Sequence, residues 1–346
     1  MIRDFDILEE SKQKSGQADG DRPFGPDVAV AWNTGGRPGK ANEDSWGMAN
    51  TQNGYLFTVC DGMGGHAGGQ EASRIAVKTI IDFCNHDGMP LDLLLENAIV
   101  EANRVVFNTA KENPELKGMG TTACVLLLFK DTAYVAHVGD SRIYLFCNKT
   151  QTLQRITKDH SYVMEVLVPQ YMNDGFSEDD AEKMAETDPK KNLIMRAVGI
   201  KNMVEPTVKI FKPAKNDIFL ICTDGLTGVV NDTTIESILR EDITLYEKAQ
   251  KLIETARYYG WSDNTTLELI QTSLSSNTTG FLNYNVKLGQ QMPKVQKEKK
   301  QVAIKVNFDE EEIRKQKKRK KRLTLLIISG IILLSILGTF LAIRRI

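Results

Sequence analysis

Aspartates in this chain stand at the ends of apolar runs that are typical of buried β-strands. YLFTVC leads into Asp61-Gly62, YVAHV into Gly139-Asp140 and DIFLICT into Asp224-Gly225, while Asp263-Asn264 directly precedes TTLELI. Carboxylates gathered at the ends of several strands repel one another unless a cation lies between them. Mg²⁺ and Mn²⁺ take such oxygen ligands, and two ions about 3.5–4 Å apart polarise a phosphoryl group and activate a water. The layout therefore favours hydrolysis of a phosphate ester.

A single Asp-Gly pair indicates only a turn, because Asp bonds its own backbone and Gly supplies positive φ. We interpret Asp87-Gly88 and Asp174-Gly175 as turns of this kind. A shared site is indicated because the Asp pairs that end the apolar runs occur together with a further acidic motif. This motif is Asn42-Glu43-Asp44, at the end of the glycine-rich stretch GGRPGKANED.

The elements that must position these carboxylates follow from the apolar spacing. Strand patterns cover Tyr55–Cys60, Ala123–Phe129, Ala133–Val138 and Asp217–Cys222. Helical spacing predicts one helix around residues 72–83, a second from Leu91 to about Lys111 and a third from about Thr234 to Ala256. Strands, then two consecutive helices, then more strands predict an α+β domain.

Eight motifs follow in an order that resembles a known family. They are NEDS from Asn42, DGMGGHAGG from Asp61, GTTA from Gly120, VGDSR from Val138, TKDHS from Thr157, NLIMRAVG from Asn192, TDGL from Thr223 and DNTT from Asp263. Together they resemble the PPM family, the type 2C metal-dependent protein phosphatases, in its bacterial form. The resemblance covers about residues 28–271.

This resemblance implies two antiparallel sheets packed as a central sandwich, with helices on both outer faces. It also implies hydrolysis of phosphoserine and phosphothreonine in proteins by in-line attack of a hydroxide that bridges two Mn²⁺ or Mg²⁺ ions, without a phosphoenzyme. Phosphorylated proteins are the implied substrates, and a bacterial membrane Ser/Thr kinase is the implied opposing enzyme.

The same resemblance implies metal ligands. Asp61 would bridge the two ions, with the Gly62 carbonyl on one of them, and Asp224 and Asp263 would hold the other.

Further residues match secondary roles in the family. Glu43 and Asp44 would act directly or through metal-bound water, and Asp140 with Asp224 matches a third, weaker metal site of bacterial members. His66 would protonate the leaving alkoxide. A lone His in a glycine-rich loop is equally typical of an exposed loop residue.

The chain departs from the family pattern where the substrate phosphate is gripped. The family usually has an arginine five residues before the aspartate of the first motif, and Gly39 stands there. Lys40 and Arg37 are the nearest cations, so either is a candidate, although Lys lacks the bidentate fork of Arg. The segment 161–189 matches the family's flap beside the active site and carries several carboxylates.

Charge and cysteine content argue against other functions. Lys and Arg total 44 against 45 Asp and Glu, and the basic residues crowd into the last tenth of the chain, so no basic face for nucleic acid is expected. No two of the five cysteines lie at CxxC spacing, which favours reduced core residues over a zinc or thiol site. The polar first 27 residues do not resemble a secretory signal peptide.

The C-terminal region predicts a membrane anchor. Leu323–Ile343 contains 21 residues without a charge, and as a helix it would be about 31 Å long, enough to cross a bilayer. Eight of the nine residues from Arg314 to Arg322 are basic, which places the upstream domain in the cytoplasm and favours contact with anionic lipid headgroups.

We therefore expect four segments: a polar extension at 1–27, a catalytic domain at 28–271, a flexible tether at 272–322 and a transmembrane helix at 323–343. Three alternatives remain at this stage. The domain could be a non-catalytic scaffold, or a different metal hydrolase such as a phosphodiesterase or nuclease. The basic run could be a nucleic-acid arm.

Overall fold

The computed structural model describes residues 41–272, with gaps at 65–66, 87, 186, 192 and 261–262. It also describes the backbone of residues 6–7, 27–33 and 287–288, and residue 67 is likewise described by its backbone alone. All of these residues lie within one compact unit, Met1–Lys294.

The strands alternate in direction along two antiparallel sheets. They are β1 (Asp6–Ile7), β2 (Asp27–Asn33), β3 (Asp44–Thr51), β4 (Gly54–Met63), β5 (Gly120–Thr121), β6 (Ala123–Phe129), β7 (Thr132–Val138), β8 (Arg142–Cys147), β9 (Thr152–Arg155), β10 (Thr207–Phe211), β11 (Ile218–Cys222), β12 (Thr265–Gln271) and β13 (Lys287–Leu288).

The helices fall into an early pair and a later group. They are α1 (Ala67–Cys84), α2 (Leu91–Glu112), α3 (Val168–Asn173), α4 (Glu178–Ala185), α5 (Asp224–Thr227), α6 (Asp232–Leu239) and α7 (Leu245–Tyr258). A π-helical turn, Val163–Leu167, leads into α3.

The two sheets form a sandwich. One has the strand order β1-β2-β12-β11-β8-β9 and the other β10-β7-β6-β4-β3-β13, with β5 paired to the end of β4. Trp46 and Val59 of the second sheet pack with Phe219 and Ile270 of the first, which is the inter-sheet core. Helices α1 and α2 cover the outer face of the second sheet, and α6 and α7 cover the outer face of the first.

The α+β class and the helix-covered antiparallel sandwich that the sequence predicted are confirmed. Buried strands read as continuous apolar runs because both of their faces are covered. Two short strands, β1 and β13, lie outside the predicted catalytic domain and pair with β2 and β3 respectively.

The predicted single helix over Thr234 to Ala256 is wrong, because α6 ends at Leu239 and α7 begins at Leu245. Thr244 caps α7 in a reciprocal capping box with Glu247, so the local polar pattern starts a new helix there. Lys248 donates to the Leu239 carbonyl and to the Glu241 carbonyl (2.7 Å), which satisfies the open end of α6.

Within the described part of the chain, no helix is both long enough and apolar enough to cross a bilayer. The predicted span Leu323–Ile343 and its basic flank lie outside the described residues.

Candidate active site

The predicted carboxylates meet at one edge of the sandwich. Asp44 begins β3 and lies directly opposite Asp61 in the antiparallel register with β4. Asp224 follows β11, Asp140 follows β7 and Asp263 precedes β12. The negative charge of Asp263 raises the pKa values of Asp44, Asp61 and Asp224, and the charge of Asp140 raises that of Asp61. The five carboxyl groups therefore form one electrostatic cluster.

Burial and mutual repulsion raise the pKa values of this cluster. Desolvation is the main cause at Asp44, whose pKa is raised to about 7, and the charges of Asp224 and Asp263 add to it. Burial likewise raises the pKa of Asp140 to about 7, with a contribution from Asp224. The pKa values of Asp61 and Asp224 are also raised, again chiefly by burial. Full ionisation of the cluster is therefore unfavourable unless a cation compensates its charge.

The donor set fits a divalent cation. Burial raises the pKa of Asp224, while the neighbouring Asp61 side chain lowers it, and Asp224 Oδ1 is buried without a partner among the described residues. No Lys or Arg in the described residues forms an ion pair with Asp44, Asp61, Asp140 or Asp224. Two neighbouring buried carboxyl groups need a proton or a cation between them, and hard divalent ions prefer such oxygens.

In the described residues, no group of three or more His, Cys, Asp or Glu side chains is arranged to hold a metal ion. Mg²⁺ is commonly bound through one or two carboxylates and keeps several waters.

The backbone of Asp61 is held by the GTT motif. The Thr122 amide and the Thr121 hydroxyl both donate to the Asp61 carbonyl, each at 2.8 Å. The Asp61 amide donates to Thr122 Oγ1 at 2.9 Å, and that hydroxyl lies 2.7 Å from Ser141 Oγ. These bonds join the Asp61 strand to the loop that carries Asp140.

Asp44 is held across the sandwich by residues that sequence reasoning did not single out. Thr223 Oγ1 donates to Asp44 Oδ2 at 3.0 Å and accepts from the Thr266 amide at 3.0 Å. The Asn264 side chain accepts from the Glu43 amide at 3.0 Å, which ties the first motif to the last. The small hydroxyl residues within TDGL and DNTT were the available signal for these contacts.

Two glycines permit the backbone to close around the cluster. A Cβ on Gly62 would lie 2.0 Å from the Gly69 carbonyl oxygen and 2.5 Å from the Glu43 carbonyl oxygen. A Cβ on Gly225 would lie 1.8 Å from the Asn264 carbonyl oxygen. Both contacts are far inside van der Waals range, so glycine is required by space at these positions.

The Arg142–Asp159 ion pair stabilises the segment that carries Asp140. Arg142 donates to Asp159 through Nε (2.9 Å) and Nη2 (2.7 Å) in a bidentate arrangement. Its Nη1 donates to the Tyr144 hydroxyl, which donates to Asp232. The arginine of VGDSR therefore has a structural partner in the aspartate of TKDHS, and it also lowers the pKa of Asp140 slightly against the effect of burial.

Two stacked histidines, His137 and His160, also contact the segment that carries Asp140. The rings of His137 and His160 are 4.5 Å apart. His160 Nδ1 accepts from the Gly139 amide (3.3 Å), so its Nε2 carries the proton that is donated to Thr207 Oγ1 at 2.9 Å. Burial lowers the pKa of His137 and lowers that of His160 to about 3. Both rings are therefore neutral at pH 7.

We expect His160 to make the fold sensitive to acid. Because its pKa in the folded chain is below the unfolded value of about 6.5, its stabilising contribution is complete above pH 6.5 and is lost as the pH falls. Between pH 7 and pH 5 the free energy of unfolding should fall by about 1–2 kcal/mol more in the wild type than in His160→Gln. Urea denaturation with chelator at both pH values measures this difference, and equal losses in the two proteins would contradict it.

The predicted flap, residues 161–189, has a small core of its own. Val163, Leu167 and Val168 pack with Ala181 and Ala185. Ion pairs fasten it to the domain, with Arg155 to Glu182 at 3.1 Å, Arg196 to Glu165 at 2.7 Å and Lys158 to Glu178. At its base, Ser161 pairs with Ile194 in an isolated bridge.

The structure thus brings Glu43, Asp44, Asp61, Gly62, Asp140, Asp224 and Asp263 to one edge of the sandwich. His66 and both candidate phosphate-binding residues, Arg37 and Lys40, lie outside the described residues, so their roles stay predictions. Asp174-Gly175 forms a turn with Gly175 at φ +96°, as expected.

Comparison with known proteins places this fold and site in one class. The family model for Protein phosphatase 2C matches residues 36–257. The serine/threonine phosphatase stp of Listeria welshimeri is 36% identical over 245 residues, which are 69% of this chain and 93% of that protein. PstP of Mycobacterium tuberculosis is 33% identical over 213 residues, 61% of this chain and 39% of that protein.

Solved structures agree with the sequence relatives. The serine/threonine phosphatase Stp1 from Staphylococcus aureus superposes with a TM-score of 0.64 at 29% identity, covering 74% of this chain and 98% of that one. The catalytic domain of PstP in complex with two manganese ions superposes with a TM-score of 0.58 at 30% identity, covering 70% and 96%. The chain belongs to the protein phosphatase 2C family.

Proposed function

We propose that this chain is a metal-dependent protein phosphatase that hydrolyses phosphoserine and phosphothreonine in proteins. The observation that carries the proposal is the gathering of Asp44, Asp61, Asp140, Asp224 and Asp263 at one edge of the sandwich, where no Lys or Arg of the described residues forms an ion pair with the first four. Membership of the protein phosphatase 2C family supports it, as do relatives named as serine/threonine phosphatases.

The resemblance to the family assigns a task to each of these residues, and their positions are consistent with it. Asp61 and Asp224, with Asp263 and the Gly62 carbonyl, would hold two Mn²⁺ or Mg²⁺ ions, and Asp140 with Asp224 a third and weaker one. When bound, the ions supply positive charge against the phosphoryl oxygens and a water of lowered pKa. Thr223 holds the Asp44 carboxyl at 3.0 Å, and the Thr122–Ser141 pair keeps the Asp61 and Asp140 loops in register. Such positioning and charge neutralisation dominate phosphoryl transfer.

The direct test is phosphate release from a phosphothreonine peptide by the full-length chain, with Mn²⁺, with Mg²⁺ and with chelator. We expect turnover with either metal and none with chelator. Absence of turnover in protein that binds Mn²⁺ would favour the scaffold alternative. Preference for a nucleic acid or phosphodiester over the phosphopeptide would favour the other metal hydrolases.

His66 is the proposed donor of the proton that the leaving alkoxide requires. His66→Gln is then expected to lower kcat for a phosphothreonine peptide by about 10²-fold. The same variant should lose little with p-nitrophenyl phosphate, whose leaving group departs without a proton. Equal losses on both substrates would contradict an acid role and indicate a structural one.

We further propose that residues 323–343 anchor the domain to the cytoplasmic face of a membrane, where anionic lipids contact the basic run and a membrane Ser/Thr kinase or its targets supply the substrates. The proposal is supported by 21 uncharged residues directly after eight basic ones.

Fractionation of cells that express the full chain or a chain ending at residue 322 tests the anchor. The full chain should stay with membranes after an alkaline carbonate wash. The shortened chain should be released by salt alone, because its basic run binds lipid only electrostatically. Release of the full chain by carbonate would contradict a transmembrane anchor.

A further inference from the structure

A buried acid lies in the inter-sheet core without a partner. Glu268 on β12 is 0% exposed, and neither of its carboxyl oxygens has a hydrogen-bond partner among the described residues. Its neighbours Leu267 and Leu269 face the helices α6 and α7, whereas Ile270 faces the opposite sheet. Because side chains alternate along a strand, Glu268 shares the inward direction of Ile270.

Two other buried polar groups with unfilled hydrogen-bonding capacity lie on the same inner faces. The Trp46 side chain belongs to the inter-sheet cluster with Ile270, and its Nε1 is buried without an acceptor in the described part of the chain. Thr266 Oγ1 completes no well-directed hydrogen bond there either. Of the six such buried side-chain atoms in the described residues, four belong to Trp46, Thr266 and Glu268. Interiors leave few polar atoms unsatisfied, so this concentration needs a physical explanation.

The geometry of the sandwich brings these groups to one place. Thr223 Oγ1 joins Asp44 of β3 to the Thr266 amide of β12 at the active-site edge. Trp46 is two residues beyond Asp44 and Glu268 two residues beyond Thr266, and both strands run inward from that edge. Two residues span about 6.6 Å along a strand, so Trp46 and Glu268 lie one layer beneath the carboxylate cluster.

We propose that Trp46, Thr266 and Glu268 bind one or two internal water molecules between the two sheets, directly beneath the active site. The indole N–H donates, the Thr hydroxyl donates or accepts, and a protonated carboxyl group does both. A buried water typically makes about three hydrogen bonds, which these groups supply. Burial also raises the pKa of the Glu268 carboxyl group well above its ordinary value, which favours its neutral form.

The water site links the core acid to the catalytic cluster. The Thr266 hydroxyl faces the Asp44 carboxyl and lowers its pKa. A water bound between Thr266 and Glu268 therefore orients the hydroxyl that contacts Asp44. Glu268 is therefore a positioning residue, which acts on Asp44 through this water and the Thr266 hydroxyl. This role does not depend on which phosphate ester the enzyme hydrolyses.

A crystal structure of the full-length chain, at a resolution that shows ordered water, tests the site directly. We expect density within hydrogen-bonding distance of Trp46 Nε1 and the Glu268 carboxyl group, and its loss in Glu268→Leu. A dry core, with Glu268 bonded directly to protein atoms, would overturn the proposal.

Unfolding equilibria test the neutral acid separately. Urea denaturation of the wild type and Glu268→Gln is compared from pH 5 to pH 8 in chelator, with Glu112→Gln, at the exposed end of α2, as the matched control. If Glu268 stays protonated in the folded chain, the wild type loses stability relative to Glu268→Gln as the pH rises. The unfolding equilibrium constant of the wild type should then increase by up to tenfold per pH unit relative to that of Glu268→Gln.

The titratable groups on the inner face of the opposite sheet, Asp44 on β3 and Asp61 on β4, and Cys60 on its outer face, are common to all three proteins and cancel in the comparison. Glu112→Gln should follow the wild type throughout. If Glu268→Gln also follows it, Glu268 is ionised in the folded chain and the proposed site is wrong. An unchanged pH optimum of turnover in Glu268→Gln combined with loss of the water density would exclude the positioning role.

Discussion

Asp61→Asn and Asp224→Asn are each expected to lower kcat for phosphopeptide hydrolysis by about 10³-fold or more, since each removes a charge that holds the divalent ions. The same substitutions should stabilise the metal-free protein. Both carboxyl groups are buried in a like-charged cluster that raises their pKa values. Removing one charge should therefore raise the free energy of unfolding in chelator by about 1–2 kcal/mol at pH 7.

The order of stability should reverse when metal is added. A ligand that binds only the folded state stabilises it in proportion to its affinity, and the variants should bind Mn²⁺ more weakly. Thermal unfolding of the wild type and both variants, in chelator and in Mn²⁺, measures the crossover. Asp131→Asn is the matched control, because Asp131 pairs with Lys212 and lies at the opposite end of β7 from Asp140. Loss of activity without the gain of stability in chelator would show that the cluster is not repulsive.

Gly225→Ala is expected to cost about 3 kcal/mol or more of folding stability and at least about 10²-fold in kcat. The added methyl would lie 1.8 Å from the Asn264 carbonyl oxygen and 2.6 Å from Thr265 Oγ1. Both neighbours belong to the segment that carries Asp263, so relief of the clash must separate Asp224 from Asp263. The damage therefore reaches the metal site as well as the fold.

Gly68→Ala serves as the control for this prediction. It adds the same methyl group in α1, where the nearest atom is the Met119 Cβ at 3.3 Å, a contact that a small shift can relieve. Its stability should stay within about 1 kcal/mol of the wild type, since Ala also favours the helix. Urea denaturation and Mn²⁺-dependent turnover of both variants provide the measurements. A Gly225→Ala protein as active as Gly68→Ala would mean that the backbone at Asn264 is free to move.

Most of the secondary structure was predictable from the sequence. The run Ala123–Phe129 is strand β6 with the same bounds, and the helical pattern from Leu91 to Lys111 is α2 to within one residue. Apolar runs and helical spacing report burial directly, so long and regular elements are read well. The break between α6 and α7 was missed because apolar periodicity continues through it, whereas the capping box at Thr244 and Glu247 depends on a few polar atoms.

The carboxylates that meet at the candidate site were predictable from the sequence, but their contacts were not. The ordered motifs named Asp44, Asp61, Asp140, Asp224 and Asp263, and the fold brings them together. Their supports came only from the structure. Thr223 bonds Asp44 across 179 residues of sequence, and Arg142 pairs with Asp159 in the segment that follows β9.

By itself, then, the sequence determined the class of elements, the order of the motifs and the carboxylate chemistry, because these depend on residue type and on short spacing. Tertiary structure alone decided which atoms meet. The pairing of β3 with β4 sets Asp44 against Asp61, and the packing of the two sheets buries Trp46 and Glu268 in the interior. Such contacts depend on register and on the approach of two sheets, which no local pattern encodes. The neutral state of His160 and the raised pKa values of the aspartates follow from burial, a property of the assembled core.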